Sequence, residues 1–237
     1  MAKIDKSKLT KLEIINVATK KFLEVGYSHT SIKAISDELE ISTGNLTFYF
    51  PSKEHLLAEL VEMLCSFQWH LMKKEAAEGY SSVMAICLEL VSMAVACESD
   101  EVARDFFLSA YTSQRSLEII RRNDKERAKE VFAEYCPDWT DEQFLEAEIL
   151  VSGIEYATLM TTDDSVSLEL RITSALNTIL TIYNIPEEIR NLKIKKAFML
   201  DYRKLGLRVL EEFKEYVEQT TKQSLLDLLL QNKEKTL

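Results

Sequence analysis

The nine residues Ser42-Thr43-Gly44-Asn45-Leu46-Thr47-Phe48-Tyr49-Phe50 carry side chains suited to reading a surface rather than transforming a substrate. An asparagine can bond an adenine edge through two contacts, and a threonine can touch a thymine methyl. A glycine between them lets the backbone come close to whatever is read. Ser42 is an N-cap residue, able to accept a hydrogen bond from a free N–H of the first turn. Leu46 and Phe50, four apart, share one helical face, while Thr43, Asn45 and Thr47 point elsewhere. Pro51 ends the helix, because it lacks a donor and pushes the preceding residue out of helical geometry. An apolar anchor face with small polar residues on the rest suits a helix that lies in a DNA major groove.

Such a probe needs a mount. Thr30 or Ser31 can cap a segment in which Ile32, Ile35 and Leu39 repeat at helical spacing, and Glu40-Ile41-Ser42 then turns the chain into the short helix. Helix, tight turn and short helix make a helix-turn-helix unit. Upstream, Leu12, Ile15, Ala18, Phe22 and Leu23 line a first helix that Gly26 ends. Three helices of this size close a small core.

Residues 11–60 resemble the N-terminal domain of the TetR family of bacterial transcriptional regulators. The resemblance rests on Ile14/Ile15, Ala18, Phe22, Gly26, Thr30-Ser31, Ile35, Ile41-Ser42, Gly44, Leu46, Tyr49-Phe50, Ser52-Lys53-Glu54 and Leu56. It implies that base edges are met by Thr43, Gly44, Asn45 and Lys33. It also implies that Thr30, Ser31, Thr47, Tyr49 and Lys53 hold phosphates, with Ser42 and Phe48 completing the contact set. Glu40 departs from the family, which usually has Gly there; if the turn needs a positive φ, Glu strains it and brings a negative charge near the phosphates. Thr47 and Phe48 replace the Tyr and His common at those positions. No Arg precedes Arg104, so the commonest guanine-reading side chain is missing and the directly read base pairs are expected to be mostly A·T.

For the rest of the chain the resemblance implies a ligand cavity lined by Phe67, Met84, Met93, Phe106, Phe107, Tyr111, Glu155, Tyr156 and Met160. Aromatic and Met stripes at this spacing also serve as plain core. A carboxylate such as Glu89 or Glu155 within an apolar helix could hold a cationic ligand or point to a helix edge. The small residues Ser152, Gly153, Ala157, Ser174 and Ala175 permit close helix approach, and in the family this helix pair builds a homodimer interface. The implied protein is a dimeric regulator, most simply a repressor, that holds a palindromic double-stranded operator and is released by an unknown small molecule. A protein effector docking on the helices after Pro186 and a plain helical scaffold are the competing readings.

Composition bounds these readings. The 237 residues carry a net charge of −10, yet residues 1–56 hold eight Lys and seven Asp or Glu, so the acid lies in the remainder. Phosphate attraction is set by potential within a Debye length of about 8 Å, and the overall charge does not veto DNA binding. Lys3, Lys6, Lys8 and Lys11 form a basic arm. Five Gly and three Pro leave little turn material and favour long helices, so the expected fold class is all-α. The expected organisation is a three-helix head over residues 1–55 and a helical-bundle body over 56–237. Its helices are read at 54–78, 81–97, 100–111, 114–135, 140–162 and 165–183, with a long one from Pro186 through Val217 and a last one over 224–237.

No apolar run approaches about 18 residues and the N-terminus lacks an apolar export region, so a cytoplasmic protein with no membrane contact is expected. Cys65, Cys87, Cys97 and Cys136 are scattered and read as buried hydrophobes. The three His show no metal spacing, and no Ser/His/Asp set, phosphate loop or HExxH occurs. No metal, no cofactor and no enzyme activity are expected.

Overall fold

A computed structural model describes residues 6–162 and 164–234. Lys3 of the basic arm, Asp163 between the hairpin helices and the last three residues lie outside the described residues. Among the described residues all regular structure is helical, in the order α1 (Lys6–Glu24), α2 (Ile32–Glu38), α3 (Thr43–Tyr49), α4 (Lys53–Ala77), α5 (Ser82–Ser99), α6 (Glu101–Thr112), α7 (Gln114–Val131), α8 (Asp141–Leu159), α9 (Leu168–Ile182), α10 (Glu187–Met199) and α11 (Tyr202–Glu234). The fold is all-α, with an N-terminal helix-turn-helix and a helical body.

Local chemistry sets most boundaries. The side chains of Ser31, Ser42, Ser81, Asp100 and Ser167 each accept a backbone N–H at a helix start. At α8 the capping box is complete: the Gln143 N–H donates to Thr140 Oγ1 and the Thr140 N–H donates to Gln143 Oε1. The loop between α8 and α9 is longer than the Asp163-Asp164 link expected from sequence, because Met160 ends α8 and Ser167 caps α9.

The long helix expected from Pro186 to Val217 is divided. α10 stops at Leu200, and Asp201 then starts α11, its carbonyl accepting the Leu205 N–H at 2.9 Å and its carboxylate the Lys204 N–H at 3.3 Å. The break expected near residue 220 is absent, and α11 runs on to Glu234.

Ile14, Ala18, Phe22, Ile35, Leu46 and Phe50 close the core of the head, joined by Leu56 and Leu57 of α4. α4 then continues into the body, so the two parts share one unbroken helix. α5 is the centre of the body, lying against α4, α6, α8, α9, α10 and α11. By length and composition α5 matches a membrane span, but most of it is enclosed by these helices. Gly206 brings α11 onto α5: a Cβ there would lie 2.6 Å from the Val95 Cβ, so any side chain would force the helices apart. α11 also reaches back to the head and lies along α1.

Candidate nucleic-acid interface and the interior of the body

α3 is anchored through Leu46, which is fully buried, and Phe50, which caps its C-terminus. The Ser42 hydroxyl accepts the Asn45 N–H at 3.1 Å and fixes the first turn. Ser42, Thr43, Gly44, Asn45 and Phe48 are exposed, and Thr47 and Tyr49 are half-buried. Nothing lies within 4 Å of a Cβ built on Gly44, so the protein itself leaves that space open. The Thr43 hydroxyl sits 3.3 Å from that of Ser36 in α2, which holds the turn between the two helices. Phe48, 78% exposed, meets the Tyr49 ring edge-on at 5.3 Å and is the largest apolar group on the outward flank. Lys33 and Ser31 are exposed beside this flank, although the Ser31 hydroxyl is already engaged by the Ala34 N–H.

Two residues expected at phosphates are employed inside the protein. Thr30 is buried and its hydroxyl donates to the Gly26 carbonyl at 2.7 Å. The Lys53 ammonium donates to the carbonyls of Tyr27 and Thr30 at 2.8 and 2.9 Å and lies 4.1 Å from the centre of the Tyr27 ring. Burial lowers the Lys53 pKa, while Asp105 partly offsets that loss. Both residues secure the turn between α1 and α2. Gly26, at φ +102, adopts in that turn a conformation that side chains rarely take. The same turn receives a bond that sequence reading did not foresee. Asp105 of α6 accepts the Ser28 N–H at 2.8 Å and the Ser28 hydroxyl, tying head to body. Glu40 has φ 53, so the turn into α3 does require the left-handed conformation that Gly would take without strain.

The residues expected to line a single ligand cavity divide. Phe67, Met93 and Phe107 border a cavity of about 30 Å³ between α4, α5, α6 and α11. Glu155 borders another of about 40 Å³ between α5, α7, α8 and α9. Tyr111 donates its hydroxyl to Glu155 at 2.8 Å from the α6 side. Met84 and Phe106 are buried core bordering neither space, Tyr156 is half-buried, and Met160 is half exposed on the surface because α8 has already ended.

Around the second cavity Glu89 and Glu155, each an isolated carboxylate in the sequence, are joined by Asp124, Arg127 and Glu148, which sequence did not single out because the set is spread over α5, α7 and α8. Arg127 is 3% exposed; it pairs with Glu89 and with Asp124, the latter at 3.2 Å. Gln68 donates to Glu89 at 2.7 Å, and Glu148, itself buried, accepts the Tyr183 hydroxyl. Burial pushes the Asp124 carboxyl up to about 6 and the Glu148 carboxyl up to about 8, and Glu155 is raised by burial and by its acidic neighbours. Burial opposes the Arg127 charge, but Glu89 and Asp124 more than restore it and leave it more basic than usual.

On α8 the exposed side includes Leu145, Ile149, Leu150, Gly153 and Ala157, and on α9 Leu170 and Ser174. Ser152 and Ala175, expected on this face, instead point inward and are buried; Ser152 accepts a bond from Arg121 Nε at 3.0 Å. All four Cys are free and buried. Burial raises each thiol, Cys87 and Cys97 to about 12. No group of His, Cys, Asp and Glu suited to a metal occurs among the described residues.

Residues 14–60 match the sequence profile of "Bacterial regulatory proteins, tetR family". The chain is 32% identical over 112 residues to the HTH-type transcriptional regulator HbdR of Aromatoleum sp. (strain CIB), covering 46% of this chain and 47% of that protein. It is 46% identical over 48 residues to the uncharacterized HTH-type transcriptional regulator YuxN of Bacillus subtilis (strain 168), covering 20% and 16% respectively. The matches therefore span less than half of either relative. Among solved structures, the TetR family protein CprB of S. coelicolor A3(2) is 20% identical, with 87% of this chain and 99% of that chain covered at a TM-score of 0.41. A gamma-butyrolactone receptor (ArpA like protein) is 19% identical, with 87% and 98% covered at a TM-score of 0.42. The likeness to the TetR family of bacterial regulatory proteins thus lies in the helix-turn-helix head, residues 14–60.

Proposed function

We propose that the protein is a dimeric transcriptional regulator that binds a palindromic operator and is released by a small molecule held in its body. In this reading residues 1–55 are the DNA-binding unit and residues 56–237 the regulatory and dimerisation unit. The observation that carries it is the outward flank of α3, where Thr43, Gly44, Asn45 and Phe48 are exposed on a helix pinned by buried Leu46. Asn45 and Thr43 supply base contacts, Lys33 adds a nearby cation, and Ser31, Ser42, Thr47 and Tyr49 supply hydroxyls for phosphates. One such helix reads too few base pairs to be selective. Two related by a two-fold axis read half-sites about 34–36 Å apart. The apolar strip Leu145-Ile149-Leu150 with Gly153 and Ala157 supports a second copy as its occupant, in an isologous pairing of the α8–α9 hairpins.

Selection from a random DNA pool with the full chain tests the reading. A palindromic, mostly A·T consensus is expected, and changing both Thr43 and Asn45 to Ala should abolish its selective binding. Retention of operator affinity by that double variant would reject the reading, as would a chain that remains monomeric at micromolar concentration.

A second reading has its own support. The two interior cavities are far below the roughly 300 Å³ of a drug-sized pocket. Leu226, Leu229 and Leu230 stand exposed near the end of α11. In that reading a protein docks on the C-terminal helices and replaces the small molecule as effector.

A further inference from the structure

We propose that the cavity between α5, α7, α8 and α9 binds a compact organic cation, a protonated amine that also carries one hydrogen-bond acceptor. This rests on, and narrows, the reading of the body as an effector-binding unit. The cavity walls carry four carboxylates, Glu89, Asp124, Glu148 and Glu155, against one cation, Arg127. The Arg127 charge is spent on Glu89 and Asp124. Glu148 and Glu155 are then left with tyrosine hydroxyls as their partners, from Tyr183 and Tyr111. Of the other basic residues of α7, Arg121 bonds Ser152, Arg122 pairs with Glu62, and Lys125 and Lys129 pair with Asp141.

A cluster of acids alone would not define a ligand, and two further features do. Arg127 is 3% exposed, it lines the cavity, and its Nε has no hydrogen-bond partner among the described residues. A buried donor in that state calls for an acceptor on whatever fills the space. The Phe132 and Tyr183 rings, stacked at 4.0 Å, form an aromatic wall, and aromatic faces attract cations. Ile86, Leu90, Val151 and Ile179 supply apolar surface for a short carbon chain. The volume of about 40 Å³ admits roughly three water-sized groups, which confines the ligand to a few heavy atoms.

Without a cation, burial and the charge of Asp124 push the Glu148 carboxyl up to about 8, so it holds its proton near neutral pH, and the same two causes favour the protonated form of Glu155. When an ammonium enters, each carboxyl that pairs with it breaks its O–H bond and the proton leaves to solvent. The electron pair stays on the oxygen, which accepts an N–H from the ligand. The titratable groups facing the site are Glu89 from α5, Tyr111 from α6, Asp124 and Arg127 from α7, Glu148 and Glu155 from α8, and Tyr183 after α9.

The test uses three probes of matched size on the full chain at constant ionic strength: ethanolammonium, propylammonium and ethylene glycol. A ligand this small is held to micromolar or weaker affinity, so calorimetric titration extends through the millimolar range. Ethanolammonium is expected to bind at least about tenfold tighter than neutral ethylene glycol and several-fold tighter than propylammonium, which lacks the acceptor. Titration in buffers of different ionisation enthalpy is expected to show proton release. Glu155→Gln is expected to lose about tenfold in ethanolammonium affinity and part of the proton release. Glu148→Gln provides a second variant should the first fail to fold. Equal binding of ethanolammonium and ethylene glycol, no binding at all, or unchanged affinity in the folded variants would overturn the proposal. Ethanolammonium that binds without altering operator affinity would keep this site and overturn the effector reading instead.

Discussion

Replacing Gly44 with Ala should move stability and DNA affinity in opposite directions. Gly44 occupies the second position of α3 with an ordinary negative φ, and an added Cβ would touch nothing within 4 Å. In a helix Ala is favoured over Gly by up to about 1 kcal/mol, and in a frayed first turn about half of that is reasonable. A gain near 0.5 kcal/mol would raise the midpoint of a domain this size by about 1–2 °C. At the operator, the added methyl projects about 1.5 Å toward the groove, where backbone contacts at about 2.9 Å leave no slack. A loss of about 1.4 kcal/mol per head is tenfold, and two heads acting together make about a hundredfold. Thermal unfolding and fluorescence anisotropy on the selected operator, at one fixed salt concentration, measure the two effects. If Gly44→Ala bound the operator as tightly as the parent chain, α3 would not approach DNA through its first turn, and the interface assigned to it would be wrong.

Glu40→Gly should strengthen operator binding, since it removes a negative charge from the turn beside α3; relief of the strain at φ 53, about 1 kcal/mol, is partly cancelled by the unfolded-state entropy of Gly. Unchanged affinity at low salt would exclude the electrostatic part. Asp105→Ala should destabilise the chain by about 1–2 kcal/mol in denaturant titration, because the Ser28 N–H and hydroxyl lose a charged acceptor in a partly solvated site. Stability should also fall as pH rises from about 5 to 8. The Glu148 carboxyl is raised from 4.5 to about 8, so the folded state holds the extra proton; its contribution is complete below pH 4.5 and is lost as pH climbs through the folded value. Glu148→Gln should flatten that slope, and a slope equal to that of the parent would place the titration elsewhere.

The head was legible because its signals are local. Ser42, Leu46, Phe50 and Pro51 act within a few residues of one another, and the caps at Ser81 and Thr140 behave likewise. What sequence left unread depends on the path of the chain in space. Thr30 and Lys53 have phosphate-binding chemistry, and sequence gave no sign of the bonds both make within the Gly26–Thr30 turn. The charge set around Arg127 draws on α5, α7 and α8, so no window of sequence holds it. Glu89 and Glu155 were visible as anomalies in apolar helices, whereas Asp124, Arg127 and Glu148 looked like ordinary surface charges. On α8 the search for small residues selected Ser152, one position before the exposed Gly153; the better signal was the apolar side chains at Leu145, Ile149 and Leu150. Asp201 carried a readable cap signal that the continuous apolar periodicity across it obscured.

The junction of head and body gives the regulatory reading its physical scale. Lys53 binds the Gly26–Thr30 turn from α4, and since α4 starts within the head, that bond moves with it. Two other ties come from the body: Asp105 of α6 to Ser28, and the Thr221 hydroxyl of α11 to the Asn16 side chain at 2.8 Å. In the proposed mechanism a head that reorients must break or carry these ties, which would make α6 and α11 the levers through which the body acts. Each bond of this kind is worth about 1–3 kcal/mol when a charge is involved and about 1 kcal/mol otherwise. Coupling free energies between regulatory sites typically lie at 1–3 kcal/mol. Releasing Asp105 from Ser28 therefore supplies a switch of the required size without unfolding any helix. The effector need only favour the arrangement of α6 in which that bond is broken, and tight binding that favours neither arrangement would leave DNA affinity unchanged. Tyr111 lies on the same helix and donates to Glu155 at the acidic cavity, which places one end of α6 at the proposed cation site and Asp105 at the head.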